Sequence, residues 1–211
     1  MKLVDMLKTL PPNQYTFRRI FLLMTRMLYA DPNNYGSLAD RFSRFIWSKD
    51  KKLSTLEVES DFSYDPANLD TVPSIYVGCG AITYATSVIN NQAGSNPDRS
   101  ASEHQRNASC PVKLTHITKS PDEVQQLGDL TAQYYLGMQT LFQTRMNIRS
   151  YEVAMLTEVR PVKTSNEKAD KQFSVDLIIN LGFNASWLTF TESSRIKTMT
   201  FGQTLQNFDR D

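Results

Sequence analysis

From Gln14 to Leu28 the apolar positions repeat with a helical period. Phe17, Ile20, Phe21, Met24, Met27 and Leu28 recur at i, i+3, i+4, i+7, i+10 and i+11, while Arg18, Arg19 and Arg26 fall off that stripe. This predicts an amphipathic helix. Asp31-Pro32-Asn33-Asn34 ends it with turn chemistry. Ser37 is then placed to cap a second helix carrying Leu38, Phe42, Phe45 and Ile46 on one face. The N-terminal quarter is expected to be a helical hairpin.

The period next falls to two. Leu56, Val58, Ser60 and Phe62 alternate with Thr55, Glu57, Glu59 and Asp61, the pattern of a half-buried strand. Residues 64–70 are expected to form a loop. Pro73 opens a second strand, with Ile75 and Val77 on one face, that stops near Gly78-Cys79-Gly80. Ile82 and Tyr84 are expected to continue it past a bulge, the usual reason for glycine inside a strand pattern.

From Asn90 to Ser109 the chain is almost wholly polar, and its charges cancel: Asp98 and Glu103 against Arg99 and Arg106. The expectation is a long surface loop, which in a compact domain tends to carry function. Val112, Leu114 and His116 predict the next strand. Ser120-Pro121-Asp122-Glu123 reads as a capping box with proline at the first helical position. It opens a helix over 121–142 bearing Val124, Leu127, Thr131, Tyr134, Met138 and Leu141. A strand over 151–159, a polar turn from Arg160 to Lys171 and a strand over 173–183 follow. The last alternates throughout, with Phe173, Val175, Leu177, Ile179, Leu181 and Phe183 on one face. At a dozen residues it is about twice the usual strand length, so this hairpin is expected to outgrow its own domain. The tail, with Trp187, Leu188 and Phe190, is expected to add one or two short strands.

The trimmed order is α-β-β-α-β-β. It predicts an α+β fold with a small mixed sheet, helices packed on one face, a long hairpin and an extra N-terminal helical pair. Residues 1–52 read as the helical region and 53–211 as the α+β part, within what is expected to be one continuous domain. A chain of 211 residues buries roughly 70% of its unfolded surface.

Charge narrows the function classes. Lysine and arginine number 23 against 22 aspartate and glutamate, a net +1, which disfavours a bulk electrostatic nucleic-acid binder. The start of the chain is broken by Asp5, Lys8 and Pro11-Pro12, so no signal peptide is expected. The longest apolar run, Ile20 to Met24, is five residues, far short of the roughly 20 of a membrane span. A soluble protein made in the cytoplasm is expected, with Cys79 and Cys110 as free thiols; two cysteines cannot build a disulfide scaffold.

Each candidate for chemistry has a plainer reading. Gly78-Cys79-Gly80 resembles the start of a dinucleotide loop, but Thr83 stands where the third glycine belongs. Cys79 as nucleophile needs a histidine base, and only His104 and His116 exist; His116 reads as a structural residue of its strand. Glu57, Glu59 and Asp61 form a carboxylate row able to serve in acid/base work or to bind a hard cation, and equally able to be a solvated face. Arg160, Lys163, Lys168 and Lys171 cluster at the hairpin turn, offset by Glu167 and Asp170; an acidic partner or DNA in a channel would suit them. No cofactor and no metal is expected.

Several segments resemble, in pattern and element order, the tail terminator (neck) proteins of long-tailed bacteriophages. They are Val72 to Gly78, the polar loop through Arg99, Ser102 and Arg106, Val112 to Glu123, and the hairpin from Tyr151 to Phe183. Together they cover roughly residues 55–190. The resemblance implies a virion protein without catalytic residues that forms a ring, typically hexameric, at the head-proximal end of the tail. Such a ring ends tube growth and docks to the head connector. Its partners would be further copies of itself, the tail tube protein and the connector or adaptor, with DNA only as passing cargo and no membrane. Arg99, Arg106, Arg160, Lys163, Lys168 and Lys171 would then lie at assembly contacts. The N-terminal helices, residues 14–48, depart from the family pattern and are available to sheath, collar or connector. The alternatives are a head-completion adaptor of the neck, a small phage-encoded enzyme using Cys79 or the Glu57/Glu59/Asp61 row, and a ligand-binding module.

Overall fold

A computed structural model describes residues 13–38, 42–64, 73–85, 92–96, 101–146, 148–162 and 171–190. Helix α1 (Gln14–Ala30) starts where Asn13 Oδ1 accepts the Thr16 N–H at 2.8 Å, an N-cap that satisfies one of the helix's orphan donors. Its predicted stripe faces inward: Phe17, Ile20, Phe21, Met24 and Leu28 are buried, whereas Met27, predicted on the same stripe, is half exposed.

The second N-terminal helix is described only at Phe42, which is helical; Phe45 and Ile46, predicted to continue it, are not. Pro32–Leu38 winds as a 3-10 segment broken at Gly36, whose φ of 55° is left-handed, and Ser37 lies within it. Residues 39–41 are outside the described part, and after Phe42 the chain runs through a turn into extended backbone. Tertiary hydrogen bonds replace the helical ones: Trp47 N donates to Tyr29 O at 2.8 Å, and Thr55 N donates to Ile46 O at 2.8 Å.

The strands are β1 (Glu57–Ser60), β2 (Ser74–Cys79), β3 (Thr83–Tyr84), β4 (Gln92–Asn96), β5 (Ala101–Thr118), β6 (Ile148–Leu156), β7 (Arg160–Pro161) and β8 (Phe173–Phe190). They make one mixed sheet in the order β1-β2-β5-β8-β6, with β3 and β4 also on β5 and β7 on β8. Only β1 and β2 are parallel. The fold is α+β, as the sequence pattern predicts. Val58, Ile75, Val77, Leu114, Leu177 and Ile179 point from the sheet into one core with Phe17, Phe21 and Leu127, so the helices cover a single face.

Between β2 and β3 the chain uses one residue more than the facing β5, because Cys79 pairs with Val112 and Thr83 with Ser109. The expected bulge is present. Phe62, predicted inward, is 80% exposed, because a 3-10 turn at Asp61–Ser63 ends the alternation that would have buried it.

The polar segment 90–109 is not simply a loop. Gln92–Asn96 is strand β4, and from Ala101 onward the segment is already β5. Polar composition did not prevent pairing, since a strand flanked on both sides satisfies its backbone whatever its side chains. β5 and β8 are 18 residues each and pair in register from Ala101↔Phe190 to Thr118↔Phe173. At about 3.3 Å per residue this ribbon is roughly 60 Å long. The overgrowth predicted for the hairpin of 151–183 therefore belongs to β5 and β8, and Trp187, Leu188 and Phe190 extend β8 rather than founding new strands. Anything expected beyond 190 lies outside the described residues.

Helix α2 (Pro121–Gly137) starts as predicted, with Pro121 in the first turn beside Asp122 and Glu123. The expected capping box is incomplete: the Ser120 side chain makes no cap bond, and Glu123 pairs with Arg44 at 3.5 Å. The helix breaks at Met138 before α3 (Gln139–Arg145). The Tyr135 carbonyl explains the break, since it accepts from Met138 N at 3.1 Å and from the Tyr151 hydroxyl at 2.8 Å. Among the described residues no helix is long and apolar enough to cross a membrane.

Candidate functional site

The face of the sheet opposite the helices is not covered by any described element except the Asp61–Tyr64 turn. A groove of about 560 Å³ runs along it, lined by Asp61, Tyr64, Tyr76, Cys79, Lys113 and Asp176 among others. Strand alternation places Tyr76, Lys113 and Asp176 there, since every second residue of β2, β5 and β8 must face away from the helices. Cys79 instead borders the groove at the strand end and packs against the core. At its centre Asp176 accepts the Thr115 hydroxyl at 2.7 Å and pairs with Lys113 Nζ at 2.9 Å. Both carboxylate oxygens are engaged. The Tyr64 and Tyr76 rings tilt together at 5.0 Å between centroids. Burial, with Glu57 nearby, raises the Tyr76 hydroxyl above its ordinary pKa, so it stays a neutral donor. The alternating polar positions Lys113/Thr115 and Ser174/Asp176 carry the signal for this face, which the sequence reading left unused.

The two glycines of Gly78-Cys79-Gly80 have steric roles. A Cβ on Gly78 would stand 2.5 Å from Asp61 Oδ2, and one on Gly80 would stand 2.7 Å from the Pro111 ring. They admit close neighbours, and the chain goes on into β3 instead of a phosphate-binding helix start.

The carboxylate row is largely neutralised from α1. Arg26 Nη2 binds Glu59 Oε2 at 2.9 Å while its Nε donates to Val58 O. Arg18 pairs with Asp61 at 3.2 Å and stacks over Phe62 at 3.9 Å. Two of the three carboxylates thus fasten α1 to the sheet edge, with Arg26 also lying over Trp47 at 5.1 Å. Among the described residues no cluster of three or more His, Cys, Asp or Glu side chains is arranged to hold a metal.

Cys79 and His116 are not partners. Cys79 sits opposite Val112, and His116 lies four residues farther along β5, about 13 Å by strand rise. His116 is fully buried instead, and burial lowers its pKa to about 4. The neighbour Cys79 does have is Cys110, the only other cysteine. Their mutual interaction, with burial, pushes the Cys79 thiol up, and it holds Cys110 down against the effect of burial.

Of the assembly residues, Arg106 lies on β5 in the ribbon, opposite Ala185. Arg160 is exposed on β7 and Lys171 is exposed just before β8. Arg99, Lys163, Lys168 and the side chain of His104 lie outside the described part. The structure therefore separates Arg106, on the ribbon, from the pair at the turn beside Phe173. Compared with known proteins, the chain matches no family model, and none of the curated proteins is significantly similar to it in sequence.

Proposed function

We propose that the chain is a structural virion subunit that closes into a ring at the head-proximal end of a phage tail, ending tube growth and joining the tail to the head connector. The observation that carries this reading is the outer edge of β8. Strand β6 accompanies it only as far as Phe183, so residues 184–190 pair with β5 on one side and, among the described residues, with nothing on the other. A seven-residue strand edge left unpaired by the other described residues is a template for a strand from another chain.

The two edges that flank the core sheet are blunted. β1 is four residues long and turns at once into a 3-10 segment. β6 carries two register shifts, between Ile148 and Ser150 and between Val153 and Met155. Edge pairing is thereby directed to the ribbon. Its contact is heterologous, one patch meeting a different patch on the next copy, and such contacts close a ring when the rotation allows. The partners are further copies of this chain, the tail tube and the connector, with sheath or collar reached from α1 and DNA passing through the lumen. Arg106 on the ribbon and Arg160 and Lys171 at the turn supply charge to those contacts.

Mass photometry with negative-stain imaging of the purified chain tests the reading, and closed rings of about six subunits are expected. Deleting 161–170 is expected to abolish rings while circular dichroism reports a folded monomer. Tails of normal length in a phage lacking the gene would overturn the terminator role, whatever the purified chain does.

A further inference from the structure

The two cysteines are 30 residues apart in sequence, yet the fold brings them together. Cys79 ends β2 and pairs with Val112; Cys110 precedes Val112 by two on the same strand and faces the same way. Cys110 is 1% exposed, whereas Cys79 is half-buried and borders the open-face groove. The Cys110 thiol donates to the carbonyl of Gly80, the residue after Cys79, at 3.6 Å, and Gln14 Nε2 donates to the same carbonyl at 2.8 Å.

From this juxtaposition we infer that Cys79 and Cys110 form a reversible dithiol–disulfide site that reacts with small disulfides such as glutathione disulfide. Cys79 is the sulfur a reagent can reach. Its thiolate attacks glutathione disulfide, breaking that S–S bond, and one glutathione leaves with the proton. Cys110 then attacks the Cys79 sulfur, displacing the second glutathione as a thiol. Two protein S–H bonds are replaced by one S–S bond, and the two electrons and two protons end on two glutathione thiols. The raised pKa of Cys79 keeps the first step slow, so a reducing compartment holds the pair open and an oxidising one closes it.

Geometry sets how firmly it closes. Diagonal partners in an antiparallel ladder lie about 7–8 Å apart between Cα atoms, while a disulfide favours about 4.4–6.8 Å. The last residue of β2 must move inward, and it has freedom to do so because the ladder bulges immediately after it. The bond formed is therefore a labile one. It would fasten the base of the excursion that carries β3 and β4, at the root of the long ribbon. This inference does not depend on the ring reading.

The test treats the full chain with glutathione disulfide and reads intact mass, then peptide mapping. The expected product has lost two hydrogens, carries a Cys79–Cys110 cross-link, and unfolds about 5–10 °C higher than the reduced chain. A dithiol reductant is expected to reverse both changes. Cys110→Ala is expected to stop at a stable glutathione adduct on Cys79. In the wild-type chain, a lasting adduct on Cys79, a cross-link between two chains, or no reaction at all would each overturn the proposal.

Discussion

His116 Nε2 lies 2.9 Å from Thr131 Oγ1, with both residues fully buried, so the C-terminal end of β5 is bonded to the middle of α2 through the core. The proton directions follow from the partners. His116 Nδ1 faces Val175 O at 3.3 Å, and a carbonyl only accepts, so Nδ1 carries the proton. Nε2 then faces the Thr131 hydroxyl as an acceptor, and that hydroxyl shares its one proton between Nε2 and Leu127 O at 2.9 Å while accepting from Tyr29 Oη at 2.8 Å. This chain of Tyr29, Thr131, His116 and Val175, with Leu127 O as a shared acceptor, joins both helices to the sheet.

Acid should break that chain. The folded pKa of His116 is near 4, against about 6.5 in the unfolded chain. The unfolded state therefore binds the proton first, and the stability contributed by neutral His116 is complete above pH 6.5 and lost as pH falls toward 4. A loss of about 3 kcal/mol across the window is expected. Urea midpoints between pH 7.5 and 4.5 measure it, and His116→Gln should flatten this part of the slope.

Removing different links of the chain should cost different amounts. Tyr29→Phe deletes an end donor and leaves Thr131 bonded to His116, costing about 1 kcal/mol. Thr131→Val leaves His116 Nε2 buried without its partner and the Tyr29 hydroxyl with only the longer bond to Leu127 O at 3.3 Å, costing about 2–3 kcal/mol. Equal costs in chemical denaturation would contradict this arrangement.

Phe21 is the hub of a four-ring stack. Its centroid lies 5.1 Å from Tyr135 and 5.1 Å from Phe142, which in turn lies 4.8 Å from Tyr151. Phe21→Ala is expected to cost about 3–5 kcal/mol and to expose apolar surface to a hydrophobic dye before the sheet melts, because it unseats α1 and α3 together.

Gly78→Ala should act at a distance. Its methyl would meet Asp61 Oδ2 at 2.5 Å and Cγ at 2.9 Å, pushing Asp61 off Arg18. A loss of about 1–3 kcal/mol is expected, and the Gly78→Ala, Asp61→Gly double variant, which removes the clash but not the need of Arg18 for a carboxylate, should cost less than the two singles added together. Thermal melts of the two singles and the double decide it.

The elements that the sequence made legible are those whose own side chains alternate or repeat. The α1 stripe, Val58, Ile75-Val77 and the run Val175 to Phe183 all point where their period says, because burial on one face requires that period. Chain direction and pairing were not legible in the same way. The polar stretch from Ala101 to Ser109 has no apolar rhythm, and it became strand because β8 and β4 offer backbone partners on both sides. Phe42, Phe45 and Ile46 have helical spacing, yet Tyr29 O and Thr55 N take the hydrogen bonds a helix would have used for the chain around Ile46. The carboxylate row was visible as a row, but only the packing of α1 shows that Arg18 and Arg26 occupy two of its members. Composition and periodicity thus determined the α+β class, the one-sided core and the absence of a strong charge bias. The tertiary structure alone decided the 18-residue ribbon, the open face around Asp176 and the meeting of Cys79 with Cys110. Each of those depends on register between segments distant in sequence, and register is set by pairing energy that no local window contains.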